Sequence, residues 1–404
     1  MGDTAMADRT DWAHLSHAYG PATDTPGHLD HLLSPNAGER ERALDHLWGA
    51  VLHQGTTYPV TAPAAVRVSR LLTDTRTLVA VAHWTDMDRP PRLLRESLID
   101  FLAAVAEAAT NESSGSAVQQ LALPRSEDIE KTVEKMWRGD YDYDKPDDTF
   151  AEAADVLVAR AVLKSRSVLP EIAPRVLVHL TSTEPGVRKS ATNAAAKFAL
   201  ALGNDEFKTK VLGALEAMAF EGEARDRASM ALSIGQLGGK PNRLLDDPEF
   251  LVRSCAALAP ALEHDPKATR LLLDAVAHPT EIDDLAEGLP QFEMRPRFAF
   301  VRAASERANS FEDLLPSALE IARVASAYTI EHEIAPLLNR AFPEPYNSTH
   351  PLSEPQRVFL DALVSNGRMW DKVYGNPRRG FKKVGLVYDR HECEQVLKTA
   401  PRGL

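Results

Sequence analysis

Leu169-Pro-Glu-Ile-Ala-Pro-Arg-Val-Leu-Val-His-Leu180, then Thr181-Ser-Thr-Glu-Pro-Gly186, then Val187-Arg188-Lys-Ser-Ala191, is the stretch that sets the fold. The first piece has apolar residues three and four apart, the spacing that lines one face of a helix. Pro170 and Pro174 are expected near the start of that helix, where a missing N–H is tolerated. The middle piece has the turn formers, and the third opens a second helix that runs to about Gly203, a residue suited to a helix C-terminus. A helix, a tight turn and a partner helix make one amphipathic hairpin. Such a hairpin cannot bury its apolar stripe alone, so the pattern predicts neighbours.

The same grammar returns outward from this unit. Phe207 to Phe220 reads as a first helix, and Ala224-Arg225-Asp-Arg-Ala228 opens its partner. Val252-Arg253-Ser-Cys-Ala256 opens another. A small or apolar residue, then Arg, then Ala three residues on, therefore recurs at Arg188, Arg225 and Arg253. Glu39-Arg40-Glu-Arg-Ala43 is a looser copy that follows Leu29, Leu32, Leu33 and the break Ser34-Pro35-Asn36. The step of 37 residues between Arg188 and Arg225 is close to the ~40 of a helical-pair repeat. The next step, 28, fits a first helix shortened to Asn242–Asp246.

On Pro185 with Val187, Arg188 and Ala191, and on Asp247-Pro248 with Val252, Arg253 and Ala256, the chain resembles the HEAT-repeat family. The resemblance covers roughly 160 to 275 and extends to 28 to 110. It implies an all-α superhelix, a solenoid of stacked antiparallel helical hairpins. The expected organisation is an irregular lead-in over residues 1–26, hairpins over 27–125, an acidic loop insertion over 126–150, central repeats over 151–345, and an atypical cap with a basic loop over 346–404.

The totals agree with that class. In 404 residues, 44% are apolar, 26% charged and only 6% aromatic, and Ala and Leu dominate. This composition favours helix over sheet. With 46 basic against 58 acidic residues the chain carries −12, which opposes nucleic acid and anionic lipid. Two cysteines, Cys255 and Cys393, cannot build a disulfide framework. No run approaches the ~18 apolar residues of a spanning helix, and the N-terminus lacks a leader pattern. A cytoplasmic protein without membrane contact is expected.

Four segments carry candidate chemistry. Leu47 to Pro63 is similar to a segment joining two repeats in bacterial HEAT-repeat proteins of unassigned role. Its His53, Gln54, Thr56 and Tyr58 read either as caps of loose helix ends or as a partner contact. Asp140-x-Asp142-x-Asp144 has the first three carboxylates of a calcium loop, but Lys145 stands where glycine is needed and Ala151 where glutamate is needed. It reads as a solvated acidic loop with Tyr141 and Tyr143, suited to a basic partner. Arg378, Arg379, Lys382 and Lys383, with Arg368, Lys372 and Arg390, lie among Trp370, Tyr374, Phe381 and Tyr388. Nine basic residues against four acidic between 365 and 404 make a local positive patch. His14-x-x-His17 and His28-x-x-His31 have ligand spacing without cysteine company, and read as exposed polar histidines.

No nucleophile elbow, zincin helix or complete phosphate loop is present, and no cofactor is expected. Helical-repeat deoxyhypusine hydroxylases carry repeated His-Glu pairs. This chain has only His332-Glu333 and His391-Glu392, outside the repeat frame. The function expected is a non-catalytic module that binds another protein, one of basic character, as an immunity or regulatory protein would. The alternative is a DNA-binding protein resembling the HEAT-like alkylpurine glycosylases, which the net charge and the scattered Trp12, Trp48, Trp84, Trp137 and Trp370 disfavour.

Overall fold

The computed structural model describes residues 10–82, 91–111, 115–371 and 377–401. The chain is all-α, with nineteen α-helices among the described residues and strand pairs only two residues long. It divides into two compact units, 1–215 and 216–404, and the boundary falls inside a continuous helix.

In the first unit, β1 (Ser16–His17) and β2 (Gly20–Pro21) form a small antiparallel hairpin, followed by α1 (Thr25–His31) and α2 (Ala37–His46). Then come α3 (Thr61–Leu71), α4 (Leu94–Asn111), α5 (Gly115–Leu121), α6 (Glu127–Arg138), α7 (Phe150–Leu177), α8 (Pro185–Ala201) and α9 (Asp205–Met218). Helix α8 packs along α4, and α7 lies against α3, α4 and α8. Small side chains let neighbours approach α8 closely: Ala191, Ala194, Ala195 and Ala196 are all fully buried. One apolar cluster runs from Leu29, Leu44 and Val51 through Leu98 and Phe101 to Leu169 and Phe198.

The second unit contains α10 (Ala224–Gln236), α11 (Phe250–Ala257), α12 (Pro266–Ala277), α13 (Pro279–Ala286) and α14 (Pro296–Arg307). They are followed by α15 (Phe311–Val324), α16 (Ile330–Ala341), α17 (Glu354–Ser365), α18 (Pro377–Lys383) and α19 (Arg390–Thr399). Here α14, α16 and α18 pack in series, and so do α15, α17 and α19, while α12 touches both series. Alternate helices thus fall into two layers, the arrangement expected of stacked hairpins.

The repeated arginine has a common structural job. Arg40 donates to the carbonyl of Ser34 at 2.7 Å, Arg188 to that of Ser182 at 2.8 Å, and Arg253 to that of Asp247 at 2.7 Å. Each reaches six residues back and ties a helix start to the turn before it. Arg225 departs from this frame and donates instead to Leu285 O and Glu287 O. In α10 the job passes to Arg227, which bonds Gly222 O at 2.8 Å and grips Asp247 through both carboxylate oxygens. Burial opposes the charge on Asp247, yet Arg227 and the Glu249 N–H hold its carboxyl below the ordinary range.

Three expectations need correcting. Residues 126–150 are not all loop: Glu127–Arg138 is a helix, because Ser126 caps it and Ile129, Val133 and Met136 bury one face. Arg160 of α7 holds it bidentately through Glu130, at 2.9 and 2.7 Å. The lead-in over 1–26 is not irregular throughout: within its described residues Trp12 and Leu15 pack on the core, and Ser16–His17 pairs with Gly20–Pro21 in the β1–β2 hairpin. Finally, Pro170 and Pro174 sit well inside α7, which starts at Phe150 and runs through the stretch expected to begin a separate helix. Four residues apart, they lie one turn from each other on nearly the same face.

Candidate functional site

The β1–β2 hairpin is the hub of the candidate site. Ala18 N–H bonds Ala50 O at 3.2 Å, Val60 N–H bonds Ser16 O at 3.2 Å, and Ser16 Oγ donates to Met136 O at 2.7 Å. These bonds bring three sequence-distant segments to one edge of the first unit: the hairpin, the turn at 53–58, and the loop that follows α6. At Gly139 the backbone is left-handed, and an added Cβ would fall 2.4 Å from Pro21 N. Glycine there lets the acidic loop press against the hairpin.

His53 sets Nδ1 2.9 Å from Gly49 O, and Tyr19 brings its hydroxyl to within 3.3 Å of the same nitrogen. Gln54 is exposed at φ 51°, the one non-glycine residue with positive φ among the described residues. Thr56 N–H returns to His53 O at 3.0 Å, and Tyr58 N–H is taken by Thr61 Oγ1 at 2.8 Å. His53 and the Tyr58 backbone thus fasten the turn. Burial, with the Tyr143 and Tyr19 hydroxyls nearby, pushes the Tyr58 hydroxyl above its ordinary pKa.

In the acidic loop Asp140, Asp142 and Asp144 are exposed. Asp142 accepts the Asp144 N–H at 3.1 Å within the exposed loop. Tyr141 stacks on Phe150 and Tyr143 meets it edge-on, and Tyr143 remains 53% exposed. Tyr19 across the edge is 71% exposed. The three aspartates do not gather as metal ligands.

Among the described residues the one group whose ligand atoms do gather is His17, Asp24 and His46, all within 4.8 Å of one another. His17 Nε2 lies 3.1 Å from Asp24 Oδ1, and His46 Nδ1 lies 4.0 Å from Asp24 Oδ2. On its far side His46 Nε2 meets the fully buried Thr25 hydroxyl at 2.9 Å. The His28 ring stacks on His46 at 4.2 Å, and its buried Nδ1 has no partner. Burial and the neighbouring His28 hold His46 down to about 4, so the ring is neutral at pH 7. Asp24 stays ionised: burial raises its pKa, but His46 and His17 more than offset that.

The sequence reading of His14, His17, His28 and His31 as exposed polar histidines fails at His17, whose side chain is only 7% exposed because the fold sets it beside Asp24 and His46. The available signal was density: six of the 13 histidines fall between residues 14 and 53.

The basic patch lies in the second unit. Arg378, Arg379, Lys382 and Lys383 are exposed on α18, while Trp370, Phe381 and Tyr388 pack against each other at 5.4 to 5.6 Å. Those aromatics serve the interior; Lys372 and Tyr374 lie outside the described residues, as does Trp84. Trp48 packs on Phe101, and Trp137 on the Ile129 cluster. A groove of about 510 Å³ in the same unit is lined by Gln291, Arg302, His264 and Arg307. Its Arg307 is engaged with the carbonyls of Ala257, Leu258 and Ala259.

Compared with family models, curated proteins and solved structures, the chain matches none. No helix among the described residues is long and apolar enough to cross a membrane.

Proposed function

We propose that the chain is a non-catalytic interaction module that holds a basic protein on the tyrosine-bearing acidic edge of its first unit, as an immunity or regulatory protein would. The observation that carries this reading is the meeting of exposed Asp140, Asp142 and Asp144 with exposed Tyr19 and Tyr143 on one hairpin-centred edge. Tyrosine supplies rigid contact area, and carboxylates at the rim steer a cationic partner and speed encounter. Neutralisation or regulation would follow from covering the partner's basic surface.

The test is recovery and identification of a stoichiometric partner, followed by titration with both proteins purified. The combined Asp140→Asn, Asp142→Asn and Asp144→Asn variant should weaken binding by about tenfold or more, mainly through association rate. Tyr19→Ala should accelerate dissociation. Arg378→Ala with Arg379→Ala, in the other unit, should leave affinity within about twofold. If both edge variants bind as the wild type does, or if duplex DNA is the ligand retained, the reading fails.

A further inference from the structure

We propose that His17, Asp24 and His46 form a binding site for a borderline divalent transition metal, with zinc the best match. The three ligands come from β1, from the residue that precedes α1, and from the last residue of α2. Seven residues separate His17 from Asp24 and 22 separate Asp24 from His46, and the fold brings the three together. A zinc ion takes imidazole nitrogen and carboxylate oxygen at about 2.0–2.2 Å, so its ligand atoms stand roughly 3–3.5 Å apart. His17 Nε2 stands 3.1 Å from Asp24 Oδ1 and His46 Nδ1 4.0 Å from Asp24 Oδ2, and one ligand atom from each residue lies within 4.8 Å of the others, so a small inward shift of the side chains reaches that spacing. Two imidazoles with one carboxylate suit Zn²⁺, Co²⁺ or Ni²⁺, whereas Ca²⁺ and Mg²⁺ need an oxygen set.

The surroundings fit the same chemistry. Metal-bound histidines are normally oriented by a hydrogen bond on the other ring nitrogen. Thr25 supplies it for His46: with Nε2–H donated to Thr25 Oγ1, the Nδ1 lone pair turns toward Asp24. The side chains of His17 and His46 are each 7% exposed, while Asp24 is 51% exposed. The ion would therefore be gripped from below, and its fourth position would face solvent.

His17 sets the cost of loading. Its Nδ1 accepts the Tyr19 N–H at 3.0 Å, so without metal the ring proton sits on Nε2 and is donated to Asp24. Binding through Nε2 requires that proton to leave and one to be taken up at Nδ1, which gives up the Tyr19 contact. Loss of one such hydrogen bond weakens binding by about tenfold at most. The site is therefore weaker than a preformed one, and it closes the lead-in hairpin onto α1 and α2 when filled.

The experiment uses the full chain, stripped with chelator and titrated with Zn²⁺ in calorimetry and with Co²⁺ in visible absorption. One equivalent should bind saturably at micromolar concentrations, with a cobalt spectrum of low coordination number and a raised thermal midpoint. His46→Ala, His17→Ala and Asp24→Asn should each weaken this by about 100-fold, while His14→Ala and His31→Ala should not. The Tyr19 amide resonance should move on loading. His17→Ala, on the peripheral hairpin, decides the matter should His46→Ala not fold. No saturable binding by wild type up to about millimolar metal, or equal binding by His17→Ala, overturns the proposal. Partner binding by the metal-free chain is measured separately, so failure of the site leaves the interaction reading to its own test.

Discussion

Gln54 holds a left-handed backbone, φ 51° and ψ 32°, that glycine adopts freely and a residue with a Cβ adopts at a cost of about 1–2 kcal/mol. Gln54→Gly removes that strain but loosens the unfolded chain, a loss of about 0.5–1 kcal/mol. The relief outweighs the loss, so thermal unfolding should show a midpoint about 1–3 °C higher. Should partner binding fall in the same variant, the strained turn serves recognition. Gly55 marked this turn in the sequence; the conformation of Gln54 was not readable, because glutamine has no preference for it. His179 makes a second point at this scale. It is buried with Nε2 unpartnered, and burial, with Arg95 nearby, lowers its pKa below 6.5. The unfolded chain therefore takes a proton near pH 6.5 that the folded chain resists. Stability from this group is complete above pH 6.5 and falls as the pH drops below it. Urea midpoints from pH 8 to 5.5 should decline less steeply for His179→Gln than for wild type. Parallel declines would show that His179 does not contribute.

Between elements, the second unit is cross-linked by a buried ion triad. Arg297 of α14 bonds Glu333 of α16 at 2.6 Å and also pairs with Asp283 of α13, while Glu333 is wholly buried. Removing one member strands a charge in the interior, so Glu333→Ala should destabilise this unit by about 3–5 kcal/mol in denaturant titration. A loss under about 1 kcal/mol would mean that water reaches the site. On the first unit, Gly139→Ala meets both a positive φ of 78° and the backbone of Pro21. It should lift the acidic loop from the hairpin and weaken partner binding although every aspartate remains. Unchanged affinity would show that the loop acts without the hairpin. Helix α6 was present in the sequence as Ser126 with Ile129, Val133, Met136 and Trp137 at helical spacing, but the surrounding charges hid it. The helices at 185–201 and 250–257 were plain because turn, arginine and alanine all lie within one local window. The triad of His17, Asp24 and His46 was not, since 22 residues and a fold separate Asp24 from His46.

For the molecule as a whole, composition and period decided the class, and the alternating layers of the second unit are what stacked amphipathic hairpins require. The division at Leu215 and Glu216 had no such signal, because α9 runs across it without a glycine- or proline-rich linker. Charge acts at this scale too. A chain of −12 projects a field that the acidic loop only focuses, and ~0.1 M salt limits its reach to about 10 Å. A basic partner should therefore associate about 10- to 100-fold more slowly at ~0.5 M salt than at ~0.05 M, with dissociation nearly unchanged, because the apolar and tyrosine contacts are short-ranged. In the variant with Asp140, Asp142 and Asp144 all changed to Asn, the same salt series should be shallower yet still sloped, since most of the negative charge lies elsewhere in the chain. Stopped-flow association rates across the salt series separate these cases. A rate independent of salt would mean that the partner is not selected by charge, and the acidic edge would then be a solvated surface.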